Sequence, residues 1–478
     1  MVTKTKRVIA MILTGMMAAT ALAGCTQTTN TTSSSPAGGT ESTAASTDEG
    51  GSEGGSEAAG GGDAVDVYSK EMTENIKAKM KEEAAANGGK IELKVWCASA
   101  DLKFEKTLIE EFKELYKSDD GSYEFKIKAS GAIGEPDAGG KIIESPKDGA
   151  DVFNFADDQL SSLVEAKAIA QVSPLFNKNI TANNTKETAE ACVIDGVSYA
   201  FPKTSDNGYF LYYDKRVYKD ESAVANLDDM IKTAKDAGKN VYFNLNDAWY
   251  NAAFFFSAGV EIKYEGGKQT TTFNTPEGLN AAKAMCHICE NAGAGFQGVD
   301  GGSGNNTAVE KGFTDGTLAA AVIGTWEGPA IKKAIGEENV GAAKLPTALI
   351  GDKQVQLESF GGYKLVGVNQ FTKYPVTSQT LAYYLTNTES QIKRYNARGL
   401  IPTSNEALEN ETIKADPAKK AIEDQTPFSH GQGSSVGGKY WAVKGITGMC
   451  SDIYNKKGQV SDDELKKSLA NIQEQIDN

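Results

Sequence analysis

Tryptophan side chains stand at predicted strand ends or in loops along this chain, where an aromatic face can meet a ligand. The chain has four of them: Trp96, Trp249, Trp326 and Trp441. Since tryptophan is largely buried on average, each one alone favours a role in core packing. Four in such positions favour a site for the apolar C–H faces of pyranose rings, on which flat aromatic rings can stack.

Acidic residues occupy similar positions. Asp157 and Asp158 directly follow a predicted buried strand over 151–155, and Asp206 lies in a loop four residues after Pro202. Carboxylates accept hydrogen bonds from hydroxyl groups, and such charge-assisted bonds contribute about 1.5 to 3 kcal/mol each. Solvated loop carboxylates are the ordinary alternative. Together with the tryptophans, these acids favour a carbohydrate site.

The elements that would position these residues alternate between strands and helices. Residues 90–96 alternate between polar and apolar, 102–117 carry apolar residues at helical spacing, and the alternation resumes at Phe125. This order predicts a parallel strand pair with a right-handed crossover. A helix over 227–237 and a strand over 240–245 repeat the pattern. We therefore expect two α/β lobes, with the ligand in a cleft at the carboxyl ends of the strands.

The N-terminal segment predicts export and a lipid anchor. Basic residues precede an apolar stretch that ends in Leu-Ala-Gly-Cys at 22–25. This pattern resembles the bacterial lipoprotein signal. It predicts a signal peptide over 1–24 and lipidation of Cys25, which would hold the chain on the extracytoplasmic face of the cell membrane. An ordinary signal peptide with an incidental cysteine is the alternative.

The composition changes twice after this cysteine. Residues 25–66 consist mostly of Thr, Ser, Gly, Ala and Glu, and they predict a disordered acidic linker because so few apolar residues cannot offset the ordering entropy. About forty such residues would span roughly 35 Å as a flexible coil. Residues 67–89 then predict a lead-in helix that ends at Gly88 and Gly89.

The net charge limits the possible ligands. The chain has 49 basic and 64 acidic residues, for a net charge of −15. This balance excludes a basic nucleic-acid footprint and disfavours anionic solutes, so we expect a neutral or cationic ligand. The six cysteines are sparse for an exported chain of this size, which indicates that disulfides are not its main support.

Two other groups of residues have side chains that could carry chemistry. Cys286 and Cys289 flank one of the two histidines, but a zinc site needs further ligands, so we interpret both cysteines as core-facing. The sequence predicts no metal and no cofactor. Asp158 and Asp206 could instead form a glycosidase pair, which requires two carboxyl groups about 5 to 10 Å apart.

Seven segments carry motifs of one known family. They are 149–158, 195–202, 213–215, 243–249, 313–326, 399–403 and 440–443. Together they resemble the extracellular solute-binding proteins of sugar ABC importers (family 1, maltose-binding-protein-like). The resemblance runs from about residue 90 to the end of the chain, and the segment that leads to Trp326 is its most specific match.

This resemblance implies a two-lobed periplasmic-binding-protein fold of type II. Each lobe would be a mostly parallel sheet flanked by helices, with hinge crossings between the lobes. The N-terminal lobe would comprise 90–206 and 358–399, and the C-terminal lobe 207–357 and 400–478.

The resemblance also implies ligand-binding roles. The residues that it assigns are Asp158, Asp206, Trp249, Trp326, Tyr440 and Trp441. Trp96 joins this set because it ends the first predicted strand. Asp206 is placed by counting from Pro202, and one inserted residue then separates it from the next motif at Tyr213.

The function implied by the resemblance is solute capture for import. We expect a monomeric, non-enzymatic receptor that binds a neutral carbohydrate, an oligosaccharide, and presents it to the permease subunits of an ABC transporter. A surface glycosidase, a binder of a polyamine or a glycerol-phosphate conjugate, and a receptor for a sensor kinase are the alternatives.

Overall fold

The computed structural model describes residues 64–299 and 307–478. The predicted signal peptide over 1–24, the predicted lipidation site at Cys25 and almost all of the predicted linker over 25–66 lie outside the described residues. Of the helices that are described, none combines the length and the apolar character needed to cross a bilayer.

The described α-helices are α1 (Lys70–Ala86), α2 (Leu102–Leu115), α3 (Glu135–Glu144), α4 (Leu160–Glu165), α5 (Pro174–Asn183), α6 (Lys186–Glu190), α7 (Leu227–Asp236), α8 (Ala248–Ala258), α9 (Pro276–Cys289), α10 (Thr307–Thr314), α11 (Gly328–Ile335), α12 (Pro375–Thr386), α13 (Thr388–Arg398), α14 (Asn405–Leu408), α15 (Glu411–Lys414), α16 (Pro417–Gln425), α17 (Gln432–Ser435), α18 (Gly438–Ala442), α19 (Lys444–Asn455) and α20 (Asp462–Asp477).

The described strands are β1 (Lys90–Trp96), β2 (Glu124–Ser130), β3 (Val152–Ala156), β4 (Val193–Ile194), β5 (Val197–Ser198), β6 (Ala200–Thr204), β7 (Phe210–Asp214), β8 (Asn240–Tyr242), β9 (Ile262–Glu265), β10 (Lys268–Thr271), β11 (Phe296–Gln297), β12 (Leu318–Ile323), β13 (Val340–Ala343), β14 (Thr347–Ile350), β15 (Lys353–Gln356), β16 (Ser359–Gly361), β17 (Lys364–Val368) and β18 (Ser429–Gly431).

The sheet of the N-terminal lobe has the strand order β2-β1-β3-β17-β6. β1 pairs in parallel with β2 and β3, whereas β17 is antiparallel to both β3 and β6. Successive residues of a strand point to opposite faces, so the sheet has two apolar cores. Val366 of β17 lies in the core shared with α2 and α12, and the preceding Leu365 lies in the core on the other face, with Phe153 and Phe155.

The sheet of the C-terminal lobe repeats this arrangement with the order β11-β8-β12-β7-β13. β8 is parallel to β11 and β12, and β7 is antiparallel to β12 and β13. In each lobe, therefore, four of the five strands run in one direction. The remaining strand, β17 in the N-terminal lobe and β7 in the C-terminal lobe, runs in the opposite direction. The predicted class, two lobes with mostly parallel sheets, is confirmed.

The antiparallel strands follow from how the chain crosses between the lobes. β6 ends at Thr204 and β7 begins at Phe210, so five residues join the two sheets. A chain that leaves one sheet at its carboxyl edge and enters the facing sheet at that sheet's carboxyl edge must run against its new neighbours. Five residues reach no further than about 20 Å. The carboxyl edges of both sheets therefore lie close together, around the hinge.

Two more crossings complete the hinge. Residues 357–363 lead into β17, and β16 within this crossing pairs in parallel with β18. Residues 399–404 lead back from α13 to α14. The lobe boundaries given above, at 206/207, 357/358 and 399/400, fall within or next to these crossings and stay predictions.

The residues before and within α1 are fixed to the N-terminal lobe. The backbone of Val65 exchanges two hydrogen bonds with the Asn179 side chain of α5, at 2.7 and 2.8 Å. The ring of Tyr68 stacks on Tyr383 of α12, with 6.1 Å between the centroids. α1 lies where the sequence predicts a lead-in helix, and it is part of this lobe's packing rather than a separate unit.

Glu83 fastens α1 by capping the start of α12. Its carboxylate accepts hydrogen bonds from Val376 N at 2.6 Å, Thr377 N at 3.1 Å and Thr377 Oγ1 at 2.7 Å. Burial raises the pKa of Glu83 above its ordinary value, and these hydrogen bonds act against the rise. The cap therefore holds two helices together through one partly buried acceptor.

Replacing Glu83 by alanine should lower the free energy of unfolding by about 1 to 2 kcal/mol, because the first amides of α12 lose their acceptor. Urea denaturation followed by circular dichroism would measure it. Glu82→Ala changes an exposed neighbour and should stay within about 0.5 kcal/mol of the wild type. Equal unfolding midpoints for the two variants would contradict the capping role.

The cysteines of α9 are buried, as are the other described cysteines, and all carry free thiols. Burial raises the pKa of Cys286 to about 11 and that of Cys289 to about 12. Neither thiol is therefore ionised near neutral pH. Within the described residues, no group of three or more His, Cys, Asp and Glu side chains is arranged to hold a metal ion.

Candidate functional site

The candidate site is built from the loops that follow the strands of both sheets. All five residues of β3 are buried, and the chain then turns into a short 3-10 helix over Asp157–Gln159. In the other lobe β12 is also buried throughout and leads to the 3-10 helix Thr325–Glu327, which carries Trp326. Because both strands end at the facing carboxyl edges, these turns approach each other across the hinge.

A hydrogen bond between Asp158 and Trp441 joins the lobes directly. Trp441 Nε1 donates to Asp158 Oδ2 at 3.0 Å. Asp158 is only 8% exposed, whereas Trp441, on α18, is 38% exposed. The other carboxylate oxygen, Asp158 Oδ1, is buried and has no hydrogen-bond partner. The pair therefore combines an accessible aromatic ring with a buried carboxylate that has one unpartnered oxygen.

The protonation of this carboxylate is set by its burial. Burial raises the pKa of Asp158 to about 6, although the hydrogen bonds from Trp441 and Gln432 oppose the rise. Burial, together with the charge of Asp158, raises the pKa of the adjacent Asp157 to about 8. The two neighbouring carboxyl groups thus titrate close to neutral pH rather than near pH 4.

Trp249 and Trp326 form a pair of aromatic rings in the C-terminal lobe. Their ring centroids lie 5.9 Å apart with an interplanar angle of 39°. Trp249 is placed by the start of α8, where Asp247 caps the helix by accepting a hydrogen bond from Trp249 N at 2.8 Å. Tyr209 packs edge-on against Trp249 at 4.8 Å. Both tryptophans are half-buried, so part of each ring remains accessible.

The side-chain amide of Gln432 connects these groups. Its Oε1 accepts hydrogen bonds from Trp249 Nε1 at 2.9 Å and from Asn207 Nδ2 at 3.2 Å. Its side chain also interacts with Asp158 and lowers the pKa of that residue. One buried amide on α17 therefore touches the C-terminal lobe, the first crossing and the N-terminal lobe. No motif or periodicity marks a lone glutamine for such a role.

Lys364 brings a positive charge from the N-terminal lobe onto Trp326. Its Nζ lies 4.9 Å from the centroid of the Trp326 ring and 3.7 Å from Glu135 Oε2. A lysine ammonium over an indole face is an attractive cation–π arrangement. This contact and the bond between Asp158 and Trp441 are two separate links between the lobes. Like Gln432, Lys364 is marked by no sequence motif.

A buried charge network stiffens the N-terminal side of the site. Lys203 is fully buried, and its Nζ lies 2.9 Å from Glu135 Oε1, 3.2 Å from Asp101 Oδ2 and 3.5 Å from Glu105 Oε1. Arg398 Nε in turn lies 2.9 Å from Asp101 Oδ1. These acids belong to the loop after β1 and to the starts of α2 and α3, so Lys203 holds the loops at the carboxyl edge of the sheet.

Three of the predicted site residues are engaged in packing or in hydrogen bonds within the protein. Trp96 packs against the apolar core beneath the N-terminal sheet. Tyr440 is fully buried, and its hydroxyl donates to Ala248 O at 3.1 Å. Asp206 accepts hydrogen bonds from Ile401 N at 3.0 Å and from Thr325 Oγ1. The structure therefore brings together Asp158, Trp249, Trp326 and Trp441, while the assignment of all seven residues to ligand binding stays a prediction.

Two facing lobes, three crossings and a site at the hinge define a solute-binding protein of the two-lobed type II class. The model of the bacterial extracellular solute-binding protein family matches residues 107–421, and this chain belongs to that family.

Relatives whose names state a ligand are about 25% identical in sequence to this chain over the matched residues. The galactooligosaccharide-binding protein of Bacillus subtilis is 25% identical over 289 residues, which cover 59% of this chain and 66% of that protein. A maltooligosaccharide ABC transporter solute-binding lipoprotein of Streptococcus pneumoniae serotype 4 is 26% identical over 352 residues, covering 70% of this chain and 78% of that protein. A solved structure with acarbose is 29% identical, with a TM-score of 0.69 over 81% of this chain and 99% of that chain.

Proposed function

We propose that this protein captures a neutral oligosaccharide between its lobes and delivers it to the permease of an ABC importer. The observation that carries the proposal is the convergence of three partly accessible tryptophans and Asp158 at the facing carboxyl edges of the two sheets. The names of the relatives, which bind galactooligosaccharides and maltooligosaccharides, support the same class of ligand.

Each group has a distinct task in this proposal. Trp249, Trp326 and Trp441 stack on the apolar faces of successive sugar rings, and Asp158 accepts hydrogen bonds from the hydroxyl edges. A sugar ring on Trp326 takes the place of the Lys364 ammonium, which keeps Glu135 as its partner. Because these groups come from both lobes, the ligand makes its full set of contacts only when the lobes are closed, so binding favours closure.

The lipid anchor belongs to the same proposal. Lipidation of Cys25 and the predicted linker between Cys25 and Val65 would hold the receptor near the membrane, and a relative described as a lipoprotein supports this arrangement. Val65 is tied to Asn179 of the N-terminal lobe. The chain that follows Cys25 therefore joins the protein at the N-terminal lobe.

Trp326→Ala is the test of the proposed site. Calorimetric titration of the wild type with maltooligosaccharides and galactooligosaccharides should give micromolar binding of at least one series, and the variant should bind it at least tenfold more weakly. Truncating a central aromatic residue of a binding site commonly costs about 2 kcal/mol or more. Phe371→Ala removes an aromatic ring that is 46% exposed outside this group and serves as the matched control.

Two results would contradict the proposal. If the wild type bound no neutral oligosaccharide, the proposed class of ligand would be wrong. If Trp326→Ala and Phe371→Ala bound the sugar with equal affinity, the proposed location of the site would be wrong. Chromatography of the bound sugar after a day of incubation should return it unchanged, since the proposed role is transport. Shorter products would instead indicate a glycosidase.

A further inference from the structure

Lys364 carries an ammonium group at the edge of the candidate site. It is the first residue of β17, which is antiparallel to β3, and it pairs with Ala156, the last residue of β3. It therefore stands at the carboxyl edge of the N-terminal sheet, beside the turn that carries Asp158. Only 11% of its side chain is exposed, and its Nζ lies 4.9 Å from the centroid of the Trp326 ring. The ammonium group thus lies between the lobes, where a sugar is proposed to stack.

This ammonium group has no hydrogen-bond acceptor among the described residues. Its ion-pair partner, Glu135 Oε2, lies 3.7 Å from Nζ, which is beyond hydrogen-bond distance. Lys203 differs, because its Nζ donates to Asp101 Oδ2 at 3.2 Å and to Glu135 Oε1 at 2.9 Å. An ammonium group offers three donors, and burying them without an acceptor is costly. The side chain of Lys364 therefore points to an acceptor that a ligand supplies.

A ligand on the Trp326 ring can reach these donors. Nζ of Lys364 is not among the fully enclosed side-chain atoms that lack a hydrogen bond, so it keeps some accessible surface. The Trp326 side chain is half-buried, so part of its ring is accessible as well. A molecule that stacks on the accessible part of this ring therefore lies within reach of the ammonium group.

The charges around Lys364 leave one positive charge in excess. Within the described residues, the connected network has four cations, which are Lys203, Lys364, Arg394 and Arg398, and three carboxylates, which are Asp101, Glu105 and Glu135. Glu135 does not depend on Lys364, because Lys203 compensates it at the shorter distance. The excess positive charge favours an oxygen acceptor beside Lys364 and disfavours a cationic group.

We propose that Lys364 is a further ligand-binding residue, which donates hydrogen bonds to the oxygens of the sugar ring that stacks on Trp326. This role rests on the proposed function. The sugar takes the face of the indole, and the flexible lysine side chain moves the ammonium group to the edge of the sugar, where Glu135 remains its partner. Donors that carry a charge form hydrogen bonds roughly twice as strong as neutral donors do. A polyamine would instead meet a like charge, so this position takes a neutral ring.

Calorimetric titration of the detergent-solubilised full chain with maltotriose and galactotriose tests this role. Lys364→Met should weaken the binding of the sugar that the wild type binds by about tenfold or more, the loss expected for a charge-assisted hydrogen bond. Methionine keeps the apolar part of the side chain, so a role in packing alone predicts no such loss. Lys364→Arg retains a charge and donors and should recover part of the affinity. Lys373→Met makes the same change at an exposed position and should stay within about twofold of the wild type.

A double-variant cycle shows whether Lys364 acts at Trp326. In the Trp326→Ala background, Lys364→Met should weaken binding by less than about threefold, because no sugar ring is then held beside the ammonium group. Titration of the wild type with spermidine, a polycation without sugar oxygens, should give no binding at this site.

Three results would overturn this role alone. Unchanged or tighter sugar binding by Lys364→Met would mean that the ammonium group only covers the Trp326 ring. Equal losses in the wild-type and Trp326→Ala backgrounds, or spermidine binding that Trp326→Ala abolishes, would also contradict it. If circular dichroism shows that Lys364→Met does not fold, Lys364→Gln removes the same charge and is judged by the same outcomes. A wild type that binds no oligosaccharide would overturn the proposed function together with this role.

Discussion

Lys203→Met should lower the free energy of unfolding by about 3 to 5 kcal/mol, the largest stability effect that we expect from a single substitution in this protein. The change removes the ammonium from among Asp101, Glu105 and Glu135 and leaves three buried carboxylates with fewer partners. Removing one member of a buried ion pair costs this much because the remaining charge is neither solvated nor compensated.

The ionisation of the network supports this expectation. Burial alone would raise the pKa of Asp101 and of Glu135, but Lys203 and the neighbouring cations outweigh it and hold both values below the ordinary range. Without Lys203 these pKa values should rise. The difference in the free energy of unfolding between the wild type and the variant should therefore shrink as the pH falls from 7 to 5, since the carboxyl groups can then be protonated in the folded chain.

Urea denaturation at pH 7 and pH 5 would measure both effects. Lys103→Met makes the same change at an exposed position of α2 and should shift the free energy of unfolding by less than about 0.5 kcal/mol. If Lys203→Met were as stable as Lys103→Met, the network would be dispensable for stability. A deficit that does not depend on pH would indicate lost packing rather than uncompensated charge.

The periodic parts of the fold were predictable from local sequence. The strand predicted over 90–96 is β1, the helix predicted over 102–117 is α2, which ends at Leu115, and the strand predicted over 151–155 is β3, shifted by one residue. Alternation and helical spacing are read directly from neighbouring residues. The antiparallel strands β7 and β17 could not be read this way, because their direction depends on the route of the chain between lobes.

The site was predictable where a side chain has an uncommon chemical type. The tryptophans and Asp158 stand out by residue type and by position after a strand, and the structure gathers four of these predicted residues. Tyr440 and Trp441 are adjacent on a five-residue helix, where neighbours point about 100° apart. Nothing in the local pattern indicates which of the two faces the cleft, and the structure buries Tyr440.

The first crossing between the lobes shows most clearly which part of the site could not be predicted from the sequence. One inserted residue before Tyr213 leaves the register of this segment open between Asp206 and Asn207. The structure turns Asn207 towards Gln432 and directs Asp206 to Thr325 and Ile401. A one-residue shift in an extended segment exchanges the two faces, so a motif match on either side of an insertion cannot identify the residue that meets the ligand.

The affinity for the oligosaccharide should rise by up to about tenfold between pH 5 and pH 7, and Asp158→Asn should remove most of this rise. Burial places the pKa of Asp158 at about 6, so the carboxyl group passes from mostly protonated to mostly ionised in this range. An ionised acceptor binds a hydroxyl more strongly than a neutral one by about 1 kcal/mol or more. Asparagine retains an oxygen for Trp441 Nε1, and it does not titrate.

The stability of the unliganded protein should change in the opposite direction. The ordinary pKa of an aspartate is about 3.9, so between about pH 4 and pH 6 the folded chain binds more protons at Asp158 than the unfolded chain. The free energy of unfolding therefore falls as the pH rises through this range, and Asp158→Asn should flatten that slope. Asp157 faces the same carboxylate and titrates at about pH 8.

Asp157→Asn is the control that separates the two carboxyl groups. It should preserve the pH dependence centred near pH 6, in both the affinity and the stability, and remove only the part near pH 8. Calorimetric titrations and urea midpoints at half-unit pH intervals would resolve the two steps. If Asp158→Asn kept the full rise in affinity, the carboxylate would not be the group that accepts the sugar hydroxyls, and the hydrogen bond from Trp441 would serve only to join the lobes.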